Sequence, residues 1–390
     1  MNKKVLIQLV LLVLVFRILY FGISYTADSF LRYAPTFAYG QDRLSQYGMD
    51  RWLYSWGNFD GVHYLTIVEK GYLGTGLIQA FFPLYPIFAW IINVPIQNTI
   101  ASSLIVSNGA TITALILLFL LTKKAFSTAV AWYTVGALLV FPTSFFLFAT
   151  YSESLFLTFV LATFWFYSQK RWALMSICIA AASATRLVGV FLVPAILFEI
   201  IFENKFSFPT FNQIKNNCHK HFKSICFTLV GSVGLLLYMA YLWKTFGDPI
   251  YFWHVQEEFG GGREEKIILL PQTIWRYIKI FMTVPFNLRW FIYVEEMFFG
   301  VIPLCIVAYF WLKKRLISHS WALFSIFALV LPTVTGTFSS MPRYALVAFP
   351  LYVFLGIAYN RYPKLRWLMV LSVLVLLFNT VLFIQGYWVA

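Results

Sequence analysis

A chain of 390 residues with 61% hydrophobic and 11% charged residues and a mean hydropathy of +0.76 falls outside the range of soluble globular domains. Its formal net charge of +14 would suit a nucleic-acid binder. Anionic lipid headgroups and the preference of Lys and Arg for the cytoplasmic side of a membrane account for that charge, so no nucleic-acid partner is expected.

After Asn2-Lys3-Lys4, residues 5–25 are almost continuously apolar. At about 1.5 Å per residue they can cross roughly 30 Å of hydrocarbon, and no small-residue cleavage site follows, so they read as an uncleaved first helix that starts in the cytoplasm. A first outer loop occupies about 26–79. Segment 80–97, interrupted by Pro83, Pro86 and Pro95, reads as a re-entrant or interfacial piece. Apolar runs then recur at about 101–122, 128–149, 152–168, 172–202, 224–243, 293–312, 320–338, 344–359 and 367–385. The run 172–202 is too long for one ordinary crossing and carries Arg186 and Gly189 near its middle, so it divides into two short helices meeting near Arg186. A second outer loop spans about 244–292. The expectation is an all-α polytopic membrane protein, a single domain over 1–390 with about 11 crossings.

The basic clusters Lys123-Lys124, Lys170-Arg171, Lys205 through Lys223, Lys313-Lys314-Arg315 and Arg361 through Arg366 then fall on the cytoplasmic side with Lys3 and Lys4. That side holds 16 of the 29 basic residues and only 2 of the 15 acidic ones. Acids contribute little to orientation, so their concentration on the outer side points to chemistry there.

The first outer loop contains Asp28, Asp42, Asp50, Asp60 and Glu69 with Trp52 and Trp56; the second contains Asp248, Glu257, Glu258, Gly260 to Gly262 and Arg263. Loops of such length in a compact protein usually carry function. Cys178 and Cys305 lie within apolar runs, and Cys218 and Cys226 in or beside the basic inner loop, which leaves no outer disulfide framework. The five His are scattered without an HExxH pattern, so neither metal nor other cofactor is expected. No internal repeat is evident, which counts against an inverted-repeat transporter.

Ionisable groups at membrane depth cost roughly 2.5–3.5 kcal/mol on insertion scales and usually face a cavity or each other. Asp60 lies in an aromatic stretch from Trp56 to Tyr64 that includes His63. Glu153 opens a helix in Tyr151-Ser-Glu-Ser154, where it also suits the helix dipole. Arg186 follows Ala184-Thr185 and can snorkel outward or pair with Glu153. Arg343 follows Met341-Pro342, where a proline and the run Gly336 to Ser340 break the helix and make its guanidinium available to a ligand. Arg17, deep in the first helix, reads as a structural partner for an outer carboxylate. His63 and Glu69 suit a scaffold, and the Trp and Tyr residues near Asp60 also suit an interfacial belt.

The ordered segments FDGVHYLTIVEKGY, AFFPLYP, YSESLFL, ATRLVGVFLVPAILFE and MPRYALVAFPL reach from the first outer loop to the penultimate helix. Together they resemble the PIG-V family of mannosyltransferases, relatives of the enzyme that adds the second mannose to GPI anchors. The resemblance implies a GT-C glycosyltransferase fold, with short helices of the first outer loop lying on the membrane and a polyprenyl-phosphate sugar as donor. It places the family's first-loop Asp on Asp60 and its helix-break Arg on Arg343. Many GT-C enzymes carry Asp-x-Asp or paired acids in that loop; here the run is Asn58-Phe59-Asp60, and a divalent metal is possible but not favoured.

An inverting sugar transfer from a lipid phosphate needs a carboxylate to accept the acceptor's hydroxyl proton and positive charge for the leaving phosphate. Asp60 is the expected base, with Glu153 as a second catalytic carboxylate. Arg343 first and Arg186 second are the expected phosphate ligands, because a guanidinium binds phosphate bidentately and keeps its charge. Trp56, His63 and Tyr64 would lie against the sugar. The acceptor would be a glycolipid or glycan on the non-cytoplasmic face, of the cell membrane in a bacterium or of the endoplasmic reticulum in a eukaryote. A lipid or polysaccharide flippase and an oligosaccharide ligase or polymerase stay open as alternatives.

Overall fold

The computed structural model describes residues 2–37, 40–203, 206–256 and 266–389, and every regular element among them is helical. Lys205, Glu257, Glu258, the Gly260–Gly262 run and Arg263 lie outside the described residues. Five helices there are long and apolar enough to cross a bilayer: Lys3–Ser29, Thr99–Ala125, Phe222–Phe246, Leu288–Lys313 and Pro363–Ile384. A sixth is counted if Met341–Val347 and Pro350–Arg361, bent by 79°, form one span. The chain is an integral membrane protein. Fewer helices reach spanning length than the expected 11 because apolar runs break early. The run expected over 128–149, for example, is helical only over Thr128–Leu139 before a 3-10 turn at Ser144–Leu147.

The chain divides into two compact units, residues 1–158 with 355–390 and residues 159–354. In the first, α1 (Lys3–Thr26) is capped by the Asn2 side chain, which accepts from Lys4 N. The first loop is not open chain: it folds into Gly40–Ser45, Arg51–Tyr54 and α2 (Asp60–Lys70). The segment expected to be broken by prolines is a continuous helix, α3 (Leu84–Ile96). Pro83 precedes it, Pro86 sits in the first turn where no helical donor is lost, and Pro95 falls in the last turn. The helices α4 (Thr99–Ala125) and α5 (Thr128–Leu139) follow; Asn98 and Ser127 cap them by accepting from Ala101 N and Val130 N. The chain enters the other unit through α6 (Glu153–Ser168), and its C-terminal part returns to the first unit to form α15 (Trp367–Ile384).

Arg17 does not meet the carboxylate expected for it. Its Nε donates to Asn108 Oδ1 at 3.1 Å and its Nη2 to the Phe148 carbonyl, while its guanidinium lies 4.7 Å from the Phe21 ring and 5.0 Å from that of Trp56. This buried cation, for which no ion pair is found among the described residues, is held instead by an amide, a carbonyl and ring faces.

In the second unit, α7 (Trp172–Thr185) ends where expected: Arg186 is extended (φ −155°), a 3-10 turn covers Leu187–Phe191, and α8 (Leu192–Phe202) resumes the helix. Next come α9 (Phe222–Val230) and α10 (Val233–Phe246), then α11 (Leu270–Thr283), α12 (Leu288–Ala308) and α13 (His319–Thr333). Glu199 on α8 accepts from Ser320 N at 2.7 Å, a carboxylate at the positive end of α13. The unit closes in a helix break at 334–340, a short turn Met341–Tyr344 and the start of α14 (Pro350–Arg361).

The crossing of α10 on α7 depends on Gly234, where a methyl group would overlap the Ala180 carbonyl. Backbone cannot yield as a flexible side chain would. Gly234→Ala is therefore expected to lower stability by about 1–3 kcal/mol, seen as a lower melting temperature in detergent; an unchanged melting temperature would contradict so close a crossing.

Candidate functional site

Residues 54–68 form a buried run interrupted at Asp60, the partly exposed member. Phe59, just before it, adopts φ +56° and ψ −123°, a conformation that L residues avoid, and Asp60 is the first residue of α2. The carboxylate thus stands at the N-terminus of a helix, where the backbone favours negative charge. Four hydrogen bonds hold this corner. Asn58 Nδ2 donates to the carbonyls of Phe383 (2.8 Å) and Ile384 (3.3 Å) at the end of α15. Tyr151 OH donates to Asn58 O at 2.8 Å, and Thr150 N to Trp56 O at 3.1 Å. Gly61 lies so close to Thr150 that a Cβ would come within 2.6 Å of its Oγ1.

The same turn, residues 149–152, leads into Glu153 at the start of α6. Tyr64 OH, one turn into α2, bonds Ser152 Oγ at 2.7 Å, so the helix starts that carry Asp60 and Glu153 are pinned to one turn. Asp60 is half-buried and Glu153 is fully buried. Trp56, His63 and Tyr64 are buried in packing: Trp56 beside Tyr20, His63 stacked on Phe81 at 4.9 Å, and Tyr64 edge-on to Phe81 at 5.0 Å and Tyr85 at 5.1 Å.

In the second unit the structure brings Arg186 and Arg343 to one ring. Their guanidinium carbons lie 5.1 and 5.3 Å from the Tyr344 ring centre. Arg343 is buried and Arg186 half-buried. Arg343 follows Ser340, itself left-handed (φ +67°), and its N–H donates to Ser340 O at 3.1 Å. Two guanidiniums at one aromatic side chain concentrate positive charge and planar N–H donors of the kind that bind phosphate.

Sequence reasoning passed over Glu295, Glu296 and Tyr277. Both glutamates are buried on α12, and Tyr277 OH donates to Glu296 Oε2 at 2.6 Å. Adjacent acids within an apolar run were the available signal. Among the described residues no cluster of three or more His, Cys, Asp and Glu side chains is arranged to hold a metal ion.

No protein-family model and no curated protein matches the chain. Solved structures of the oligosaccharyltransferase of Archaeoglobus fulgidus are similar to it. The apo form is 12% identical with a TM-score of 0.46 and is matched over 100% of this chain and 57% of its own. The form tethered with an acceptor peptide containing the NVT sequon gives 13%, 0.47, 99% and 56%; the complex with an inhibitory peptide and a dolichol-phosphate gives 11%, 0.45, 96% and 56%. The chain spans little more than half the length of these proteins, and a likeness of this degree assigns it no activity.

Burial lowers the His63 pKa from its ordinary value of 6.5, with the nearby Asp60 charge opposing the shift. The folded loop therefore holds neutral imidazole and binds fewer protons than the unfolded chain as pH falls. His63 costs nothing above about pH 6.5 and destabilises the loop progressively below it. The melting temperature of the wild type is expected to fall more steeply than that of His63→Gln below this pH; parallel curves would show that His63 is not held neutral.

Proposed function

We propose that the protein is a membrane glycosyltransferase of the GT-C type, an inverting enzyme that moves a sugar from a polyprenyl-phosphate donor to a glycolipid or glycan. Mannose as the sugar rests on the resemblance of the ordered sequence segments to the PIG-V family. The observation that carries the reading is Asp60: a half-buried carboxylate at a helix start, preceded by a strained Phe59 and flanked on both sides by buried chain. Such strain persists where the surrounding structure over-determines it, often at functional sites.

In this reading Asp60 accepts the proton of the acceptor hydroxyl as its oxygen attacks the anomeric carbon, and the bond from that carbon to the donor phosphate breaks. Glu153, on the turn that fixes Asp60, is the supporting carboxylate. Arg343, with Arg186 beside the same Tyr344 ring, binds the phosphate and stabilises the charge it gains on leaving. Trp56, His63 and Tyr64 contribute to the sugar site by shaping the loop from within, as their burial favours. The distribution of basic residues favours a site on the non-cytoplasmic face.

Transfer of radiolabelled sugar from polyprenyl-phosphate mannose in proteoliposomes tests the roles separately. Asp60→Asn is expected to lower turnover by about 10²–10⁴-fold while donor binding stays near wild type. Unchanged turnover would remove Asp60 from the role of base. Arg343→Ala is expected to raise the donor KM by about 10–100-fold, equivalent to roughly 1.4–2.8 kcal/mol. A flippase would instead move lipid without any donor.

A further inference from the structure

The break before Arg343 is shaped by one face of α11. Ile268 N, just before that helix, donates to Val334 O at 2.8 Å, and Thr273 Oγ1 to Thr333 O at 3.2 Å. Arg276 Nη1 reaches Gly336 O at 3.5 Å. Tyr277 makes the central contact: its hydroxyl accepts from Phe338 N at 3.1 Å, donates to Glu296 Oε2 at 2.6 Å, and lies 3.2 Å from Thr337 Oγ1. Its ring meets that of Phe338 edge-on at 4.9 Å. Phe338 has no exposed surface and fills the space that a side chain at Gly300 on α12 would take.

From this point the backbone runs directly to Arg343. Met341 N donates to Phe338 O at 3.0 Å, and Arg343 N to Ser340 O at 3.1 Å. Gly336 (φ +88°) and Ser340 (φ +67°) both have positive φ, so the break between α13 and Arg343 departs from helical geometry at two points within five residues. A Tyr hydroxyl that accepts a backbone N–H while donating to a carboxylate is polarised in the sense that strengthens both bonds. Buried as it is, the carboxylate fixes which way the hydroxyl proton points.

We propose that Tyr277, oriented by Glu296, is a positioning residue for Arg343: it fixes the helix break so that the guanidinium stands ready for the donor phosphate. This rests on the reading of Arg343 as a phosphate ligand. Glu296 itself touches no substrate in this account. Its part is to hold the tyrosine hydroxyl in the one orientation that leaves a lone pair for Phe338 N–H.

Tyr277→Phe removes one oxygen and keeps the ring. It is expected to raise the donor KM about tenfold, with kcat and acceptor KM within about twofold, which general loss of folded enzyme would not produce. Glu296→Ala should behave alike, whereas Glu296→Gln, which keeps an acceptor for the hydroxyl, should hold the donor KM within about threefold of wild type. In an Arg343→Ala background Tyr277→Phe should have little further effect, because both changes act through one group. Hydrogen exchange over residues 335–344, measured without donor, should speed up in Tyr277→Phe.

Unaltered exchange there, an unchanged donor KM in Tyr277→Phe, or a full tenfold effect persisting in the Arg343→Ala background would each overturn the inference. If Arg343→Ala itself leaves the donor KM unchanged, the donor-site reading fails as well. Faster exchange in Tyr277→Phe would then mark the network as purely structural.

Discussion

The constraint on which the structure depends is that a chain so poor in charge has few polar groups to spare, and each carbonyl and amide released by a helix break must find a partner inside the protein. The break at 140–148 shows how this is met. Its carbonyls at Val140, Pro142, Leu147 and Phe148 accept from Ser372 (2.6 Å), Asn379 (3.4 Å), Thr111 (2.6 Å) and Arg17. Donors from α15, α4 and α1 thus converge on one irregular segment. In the second unit the break at 333–338 is satisfied in the same way from α11 and the residue pairs around Tyr277.

A break pinned on every side is costly to assemble and rigid once formed, which is what a site for charged chemistry requires. The carboxylates Asp60 and Glu153 each occupy the first turn of a helix, where backbone N–H groups have no partner within the helix. Arg343 follows a left-handed residue that turns the chain, and shares the Tyr344 ring with Arg186, which sits at another interruption. The charged residues of interest therefore occur where helices start or stop. Uninterrupted helix would have offered them neither unbonded N–H groups nor a change of direction.

Hydropathy made the helical runs legible, and the position of Arg186 and Gly189 within 172–202 was enough to divide that run where the structure divides it. Asp60 stood out because aromatic and apolar residues surround it. Other features were not legible because they are set by tertiary partners. The prolines of 80–97 suggested a broken segment, yet their placement at the two ends of α3 is tolerated. Nothing in the local sequence shows that Arg17 would meet Asn108 and a carbonyl from residue 148, since the partners lie 91 and 131 positions away. Tyr277 lies in the stretch read as the second outer loop, and the backbone amide that its hydroxyl meets is 61 residues downstream.

The residue at position 58 follows from the same constraint. Two residues before Asp60 stands Asn58, whose amide nitrogen faces the carbonyls of Phe383 and Ile384 at the end of α15. A helix C-terminus presents unsatisfied carbonyls and a partial negative charge, so it needs a donor. An ionised Asp has none to give and would set a carboxylate against two carbonyl oxygens in a buried site. Asparagine at 58 is therefore a structural requirement of the way the C-terminal helix closes on the first loop, and it leaves Asp60 as the carboxylate of that corner. Because Tyr151 donates to the carbonyl of the same Asn58, the residue ties three elements together: the end of α15, the turn before Glu153 and the strained Phe59 that presents Asp60.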